Sequence, residues 1–321
     1  MASPNSTFTE IVTTTLREHP DVISDNVSNH NALYRRLKTK GQIEKLDGGY
    51  EIVEPLDYAE NATFQRYSGY DALNIGASDV LSAAKYDWVQ SSINVTASGL
   101  ELRQNDGKNQ ITNLAKARLK NAMRTAANNM SVDLYSSGAL TNQMGGLAHL
   151  IQTDGTGTVG GINSSTYTFW QNQYRELSGT GTWSKSTIKG DMNATWMTCV
   201  RGTDRPDVIV STHDFFAAYW ESLQDLQRYA SDSKATAGFQ SLKFITADVM
   251  FDSNDNFATT GERMYFLNTE YLKLKVHKEA NWTPLDEKSS VNQDAVVIPI
   301  IWQGQLTCSN RSLQGIMIDA A

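Results

Sequence analysis

Two glycine-rich stretches are the first places to look for chemistry in this 321-residue chain. GTGTVG (155–160) fits the G-x-G-x-x-G spacing of a dinucleotide-binding turn letter for letter. Such a turn follows an apolar strand and opens a helix, so that backbone N–H groups and the helix N-terminus meet a pyrophosphate. Here LIQTD precedes it and the polar GINSSTYT follows, and a Gly-rich loop is the expected role. GTGTWSKS (179–186) imitates a phosphate loop, with Lys185 and Ser186 in place of its lysine and hydroxyl. Position 184 is Ser where the second glycine belongs, and no apolar strand leads in. A turn capping the next helix is expected there. A nucleotide-binding enzyme using 155–160 or 179–186 stays open as an alternative.

The remaining reactive residue types do not converge. His19, His30, His149, His213 and His277 show neither HxxxH nor HxH spacing. His213 starts a helix beside Asp214, and His149 within GGLAHLI reads as a core or interface residue. Cys199 and Cys308 form no CxxC pair, which excludes a zinc ribbon and makes a disulfide scaffold unexpected. Cys199, inside TWMTCV, reads as a small buried hydrophobe. RGTDRPD (201–207) reads as a turn held by ion pairs. No catalytic, cofactor-binding or metal-ligating residue is assigned.

The most distinctive charge pattern is Lys116, Lys120 and Arg124 at i, i+4, i+8, with no Asp or Glu between 107 and 132. The net charge is -7, so a general phosphate-binding surface is not expected. The stripe is either a solvated face or a face that meets an acidic partner or a polyanion. The first residues lack a charged start followed by an apolar core, and no run of about 18 apolar residues exists to span a membrane. A soluble protein of a reducing cytoplasm is expected.

The elements that carry these residues have an unusual order. Residues 1–35 are polar, with short helices expected at 7–18 and 28–38, and too few apolar positions to make a domain. GGYEIVEPLDY (48–58), with Tyr50, Ile52, Leu56 and Tyr58 two apart, and AAKYDWVQSSINVTAS (83–98) read as the arms of a long hairpin. The alternation changes phase between Trp88 and Val89, which predicts a bulge or bend. The tip between the arms holds Phe64, Tyr67 and Tyr70 among polar residues. An isolated hairpin is marginal in water, so this one is expected to lie on another surface.

A long helix over 107–137 follows, with Gly138 as its stop and Ile111, Ala115, Leu119, Ala122, Met123, Ala126, Met130 and Leu134 in one apolar stripe. Beyond it, helices are expected at 185–201 and 213–229, and strands at 205–210, 242–252, 263–277 and 295–308. The last strand is almost continuously apolar, so both faces should be covered, and Pro299 points to an edge or a bulge.

This order of pieces resembles the major capsid proteins of tailed bacteriophages, the family with the Hong Kong 97-type fold. The phrases STFTEIVTTTL (6–16), ENATFQRYSGYDALN (60–74), SGLELRQNDGK (98–108), VRGTDRPDVIV (200–210), YWESLQ (219–224), AGFQSLKF (237–244), MYFLNTEY (264–271), NQDAVV (292–297) and SNRSLQG (309–315) carry the resemblance from end to end. It implies an α+β Hong Kong 97-like fold with an N-terminal arm (1–35) and an E-loop hairpin (36–85). A P-domain over 86–145 would include the spine helix 107–137, an A-domain would span 146–285, and 286–321 would return as P-domain strands.

The implied role is structural. Pentamers and hexamers of the chain would close into an icosahedral virion head around double-stranded DNA, assembled in the host bacterial cytoplasm. The implied partners are the chain itself, a portal protein, a separate scaffolding protein, a decoration protein and packaged DNA held without sequence preference. Phe64, Tyr67 and Tyr70 would make E-loop contacts between subunits, and Lys116, Lys120 and Arg124 would face the interior. Relatives that fuse a scaffold ahead of the arm differ from this chain, so a scaffold is expected to be a separate protein or absent. Lys38, Lys40 and Lys45 lie near the hairpin's base and no lysine lies between 46 and 84, so self-catalysed cross-linking is not expected. An encapsulin-like cargo shell is the alternative of the same fold.

Overall fold

The computed structural model describes residues 31–104, 114–177, 183–224, 242–253, 257, 261–286, 288–289 and 294–319. The expected helix at 7–18, the opening of the long helix at 107–113 and glycines 179 and 181 lie outside them. The first described helix, α1 (Ala32–Thr39), begins where the Asn31 side chain accepts from Tyr34 N–H at 2.7 Å. It ends at Gly41, whose φ of 72° lets Gln42 N–H reach back to Leu37 C=O. Leu33 and Leu37, four apart, bury the same face.

The expected hairpin is present but divides. Strands β2 (Ile52–Asp57) and β3 (Leu81–Tyr86) pair antiparallel, from Ile52 opposite Tyr86 to Asp57 opposite Leu81. After Asp87 the chain changes partner: β4 (Val89–Ser98) pairs with β14 (Ala295–Cys308) instead. The phase change read between Trp88 and Val89 is this transfer between sheets.

Strand β14 is the axis of a five-stranded sheet. Along one edge it pairs with β4, and along the other successively with β12 (Leu272–Pro284) and β13 (Lys288–Ser289). Strand β1 (Ile43–Leu46) adds in parallel beyond β12. Pro299 is therefore neither at an edge nor in a bulge. Opposite it β12 is ending: Leu285 N–H donates to Pro299 C=O at 2.8 Å, the proline returns no bond, and the ladder lapses until Lys288 pairs with Val297. Burial also corrects the expectation of two covered faces. Gly304 to Cys308 are all buried, whereas Ala295 to Pro299 are half-exposed.

The second sheet runs β7-β15-β11-β8-β10-β9, built from Gln173–Glu176, Gly315–Asp319, Glu262–Leu267, Val208–Ser211, Ala247–Phe251 and Leu242–Phe244. Its strands alternate strictly between two cores. Ile209, Val249, Met264, Phe266 and Met317 face α5 (Ile188–Thr198) and α6 (His213–Gln224), meeting Met192, Trp196, Phe215 and Tyr219. Val208, Val210, Tyr265, Leu267, Ile316 and Ile318 face the main core, shared with α1, the hairpin base and β12 and β14. The single strand expected over 242–252 is two, because Ile245 adopts a φ of 54° and reverses the chain.

Sheet membership also departs from the expected boundary at 285/286. After the Thr269–Tyr271 turn, β12 already belongs with β14, while β15, expected in the P-domain segment, lies between β7 and β11 of the second sheet. The chain crosses between the sheets on both sides of that boundary.

The long helix is α3 (Leu114–Tyr135), preceded by the short α2 (Gly99–Gln104). Ala122, Ala126, Met130 and Leu134 are buried as the stripe predicts, but Leu119 and Met123 are each about two-fifths exposed, at 42% and 41%. The helix lies on the sheet along the narrow small-residue line, where Ala122 meets Val95 and Ile300. The larger residues flank that contact instead of entering it. At the C-terminal end Gly146 lies against the last turn, where any Cβ would sit 2.3 Å from Asp133 O. Directly after Gly146, α4 (Leu147–Leu150) folds Leu147 and Leu150 into the main core.

Candidate functional site

The sequence-selected residues fall in two unlike places. Phe64, Tyr67 and Tyr70 lie together on the tip between β2 and β3, and all three are exposed, as are Leu73 and Ile75. What orders the tip is polar. Asn61 Oδ1 accepts from Thr63 N–H at 2.9 Å and from the Thr63 hydroxyl at 2.7 Å. The Asp71 carboxylate accepts from Ser68 N–H at 2.9 Å while Asp71 N–H donates to Ser68 C=O, closing a turn around Gly69 and Tyr70. Gln65 ties both sides of the loop, donating to Ala72 C=O at 2.8 Å and accepting from Asn74 N–H at 3.2 Å. Polar side chains set the shape, and the aromatic ones are left facing out.

At its base the same hairpin is clamped. Glu54 and Lys275 form a salt bridge of 2.7 Å, each about 5% exposed or little more, and Glu54 also accepts from the Thr307 hydroxyl at 2.8 Å. Tyr86 donates to Cys308 C=O at 2.8 Å, and burial raises its phenol far above the ordinary range. Beside it lies Arg311, with no exposed surface. It donates to Leu150 C=O at 2.7 Å, Trp170 C=O at 3.0 Å and Asn172 Oδ1 at 2.9 Å. Burial lowers its pKa, and these acceptors hold its charge.

Sequence reading missed this clamp, although one signal was present. Glu54 occupies the inward phase between Ile52 and Leu56, where a lone charge in a strand demands a partner.

The glycine motif at 155–160 belongs to the clamp. It leads into a small hairpin, β5 (Thr158–Val159) and β6 (Ile162–Asn163), and not into a helix. Gly160 C=O accepts from Lys85 N–H at 3.0 Å, and a Cβ there would lie 2.7 Å from the Ala84 Cβ. Of the second motif, Ser184 lies before α5, where its N–H donates to the Thr187 hydroxyl at 3.0 Å.

The other candidates are structural too. Burial pushes both thiols, Cys199 and Cys308, up to about 12, so neither is a nucleophile at neutral pH. Burial lowers the pKa of His149, with the nearby Arg311 charge adding to the effect. RGTDRPD is a turn, but backbone pairing of Arg201 with Asp204 holds it in place of internal ion pairs. Its carboxylates reach outward, Asp204 accepting from Tyr271 and Asp207 from Thr269.

On α3, Lys120 is exposed and Arg124 half-buried, while the Lys116 side chain lies outside the described residues. Between them in sequence, Arg118 points back to the sheet. It donates to both oxygens of Glu101 at 2.9 Å and to Thr96 C=O at 2.8 Å. Glu101 is also the third residue of α2, accepting from Ser98 N–H while Ser98 caps it in return. The Arg118 hydrogen bonds, with that from Ser98 N–H, hold the Glu101 carboxyl down to about 2.

A third feature was not anticipated. A half-open groove of about 650 Å3 lies beside the hairpin base, floored by Trp302, Ile301 and Ala280 and rimmed by Asp87, Ser92 and Asn142.

No protein-family model and no curated protein sequence matches the chain. Solved structures do. The capsid asymmetric unit of cyanophage A-1(L) superposes with a TM-score of 0.65 over 94% of this chain and 96% of that one, at 13% identity. The capsid of a native GTA particle gives 0.62 over 99% and 100%, at 10% identity. The holo-SrpI encapsulin complex from Synechococcus elongatus gives 0.54 over 97% and 95%, at 7% identity. The chain has the Hong Kong 97-type capsid fold.

Proposed function

We propose that this chain is the major capsid protein of a tailed double-stranded DNA phage, assembling as pentamers and hexamers into an icosahedral head. The observation that carries the reading is the end-to-end likeness to capsid subunits, over at least 94% of both chains in the cyanophage and GTA structures. The exposed, internally ordered hairpin tip supports it, because a subunit that works alone gains nothing from presenting Phe64, Tyr67, Tyr70 and Ile75 to water.

In this reading residues 1–35 form an N-arm and 36–85 an E-loop. The five-stranded sheet with α3 forms the P-domain, and the six-stranded sheet with α5 and α6 forms the A-domain. Portal, scaffolding and decoration proteins and the packaged DNA are the remaining partners, and the work of the chain is structural and not catalytic. Lys116, Lys120 and Arg124 face the interior, toward DNA or an acidic scaffold. Normal assembly and packaging by the Lys116→Glu, Lys120→Glu double variant would remove that assignment.

Sedimentation velocity and negative-stain imaging of the expressed chain test the reading. Closed shells, or discrete pentamers and hexamers, are expected; a monomer at all concentrations, with scaffold supplied, would sink it. The encapsulin likeness supports a second reading, a cargo shell. Shells that enclose a protein cargo and exclude DNA would favour it.

A further inference from the structure

The groove beside the hairpin base is a shaped site. Three non-glycine residues among the described ones take a left-handed backbone, and two of them, Asn142 and Trp282, adjoin it. Asn142, at φ 58°, stands on the rim. Trp282, at φ 54°, sits where the β12–β14 register shifts and stacks on Trp302, with ring centroids 6.1 Å apart and planes at 26°. A left-handed tryptophan costs free energy and persists only where its surroundings hold it. An irregularity of this kind re-aims side chains beside a strand. Trp302 in turn lies over Gly304, where a Cβ would meet the ring at 2.8 Å. The ring's placement therefore depends on a glycine.

The lining restricts what the groove can hold. Trp302 and Trp88 bring two indoles to it, and Trp88 is the more exposed. Its N–H donates to Gly49 C=O at 2.9 Å and its ring meets the His277 imidazole edge-on, so its orientation is fixed. Around the indoles stand the amides of Asn142 and Gln303, the Ser92 hydroxyl and the Asp87 carboxylate. Asp87 is exposed and enters no ion pair among the described residues.

No Lys, Arg or His is among the described lining residues. A phosphate, a nucleotide or an acidic peptide would lose hydration there without a cation in return. A lipid chain would leave the amide and carboxylate rim without partners. An uncharged sugar answers both halves of the lining. The C–H face of its ring meets the negative face of an indole. Its hydroxyls donate to carboxylate and amide oxygens and accept from amide N–H groups. A volume near 650 Å3 is within the range of ligand pockets and leaves room for more than one sugar ring.

We propose that the groove binds a short uncharged oligosaccharide, with one sugar ring packed on Trp88 and hydroxyls bonded to Asp87 and Asn142. The inference goes beyond the shell reading and does not rest on it.

Saturation-transfer NMR tests it, using the full-length chain kept dilute enough to stay unassembled and maltotriose, cellotriose and chitotriose as probes. At least one trisaccharide is expected to bind, with the strongest transfer to the ring C–H protons that face an indole. Asp87→Ala removes the carboxylate, and Asn142→Gly removes the amide while tolerating the left-handed backbone. Each should weaken binding about tenfold, the effect of losing one oriented hydrogen bond. Ser92→Trp, at an exposed strand position, should fill the groove and abolish binding with the urea unfolding curve unchanged. Trisaccharide binding that survives all three variants overturns the site. Binding of none of the probes, or their displacement by ATP at equal concentration, overturns the ligand class.

Discussion

The two ends of the hairpin are built by opposite rules. At the base, Ile52, Ala84 and Tyr86 are buried, the one charge on the inward face is paired, and a glycine hairpin presses on the outer strand. At the tip the apolar residues are outside and the polar ones make the internal bonds. A base of this kind fixes where the hairpin leaves the body. A tip of this kind keeps its shape while its apolar surface stays free. Folding and association are therefore assigned to different residues of a single element.

Substitutions can separate the two roles, and the base should respond most. Glu54→Ala leaves the buried Lys275 ammonium with only the longer contact to Glu44 at 3.8 Å and should lower unfolding free energy by about 3 kcal/mol in urea titrations. Replacing both partners, as in Glu54→Leu with Lys275→Met, should recover most of that loss. Gly160→Ala comes next. Its Cβ meets Ala84 at 2.7 Å in a left-handed backbone (φ 60°), and about 1–3 kcal/mol of destabilisation is expected.

The Glu101–Arg118 pair, away from the hairpin, calibrates the scale. Folding lowers the Glu101 carboxyl from 4.5 to about 2, so its contribution is complete above about pH 4.5 and is lost as pH falls through about 2. Glu101→Gln should remove that part of the acid-unfolding limb, with a modest change at pH 7 because the pair is partly exposed. Smallest of all, Tyr70→Ala should shift the stability of the isolated subunit by no more than about 0.5 kcal/mol while assembly suffers. A large stability loss in Tyr70→Ala would erase the contrast between tip and base.

Much of the scaffold was legible in sequence because it depends on periodicity. Alternation in β2, the small-residue line of α3 and the phase change at Trp88 each map onto a burial pattern or a change of sheet. The expectations that failed depended on neighbours that periodicity does not encode. Ile245 turns the chain without a glycine, proline or asparagine at that position, and Pro299 survives in an interior strand because its partner happens to end there. Leu119 and Met123 share a helical face with Ala122 but not its contact.

For the site, the aromatic tip residues stood out as residue types. The side chains that shape the tip, Asn61, Gln65 and Asp71, did not, since their bonds exist only once the loop has closed. The groove unites residues of four separate segments and leaves no local trace.

Strand β14 has a mechanical meaning. It is bonded on one side to β4 from Ala295 to Gly304 and on the other to β12 and β13. Tension applied along its length loads those bonds in shear, many at once, whereas tension across it would open them one by one. A wall built from such subunits would resist internal pressure best along the direction of β14. An optical-tweezers pull on the ends of that strand should give a higher rupture force than a pull perpendicular to it.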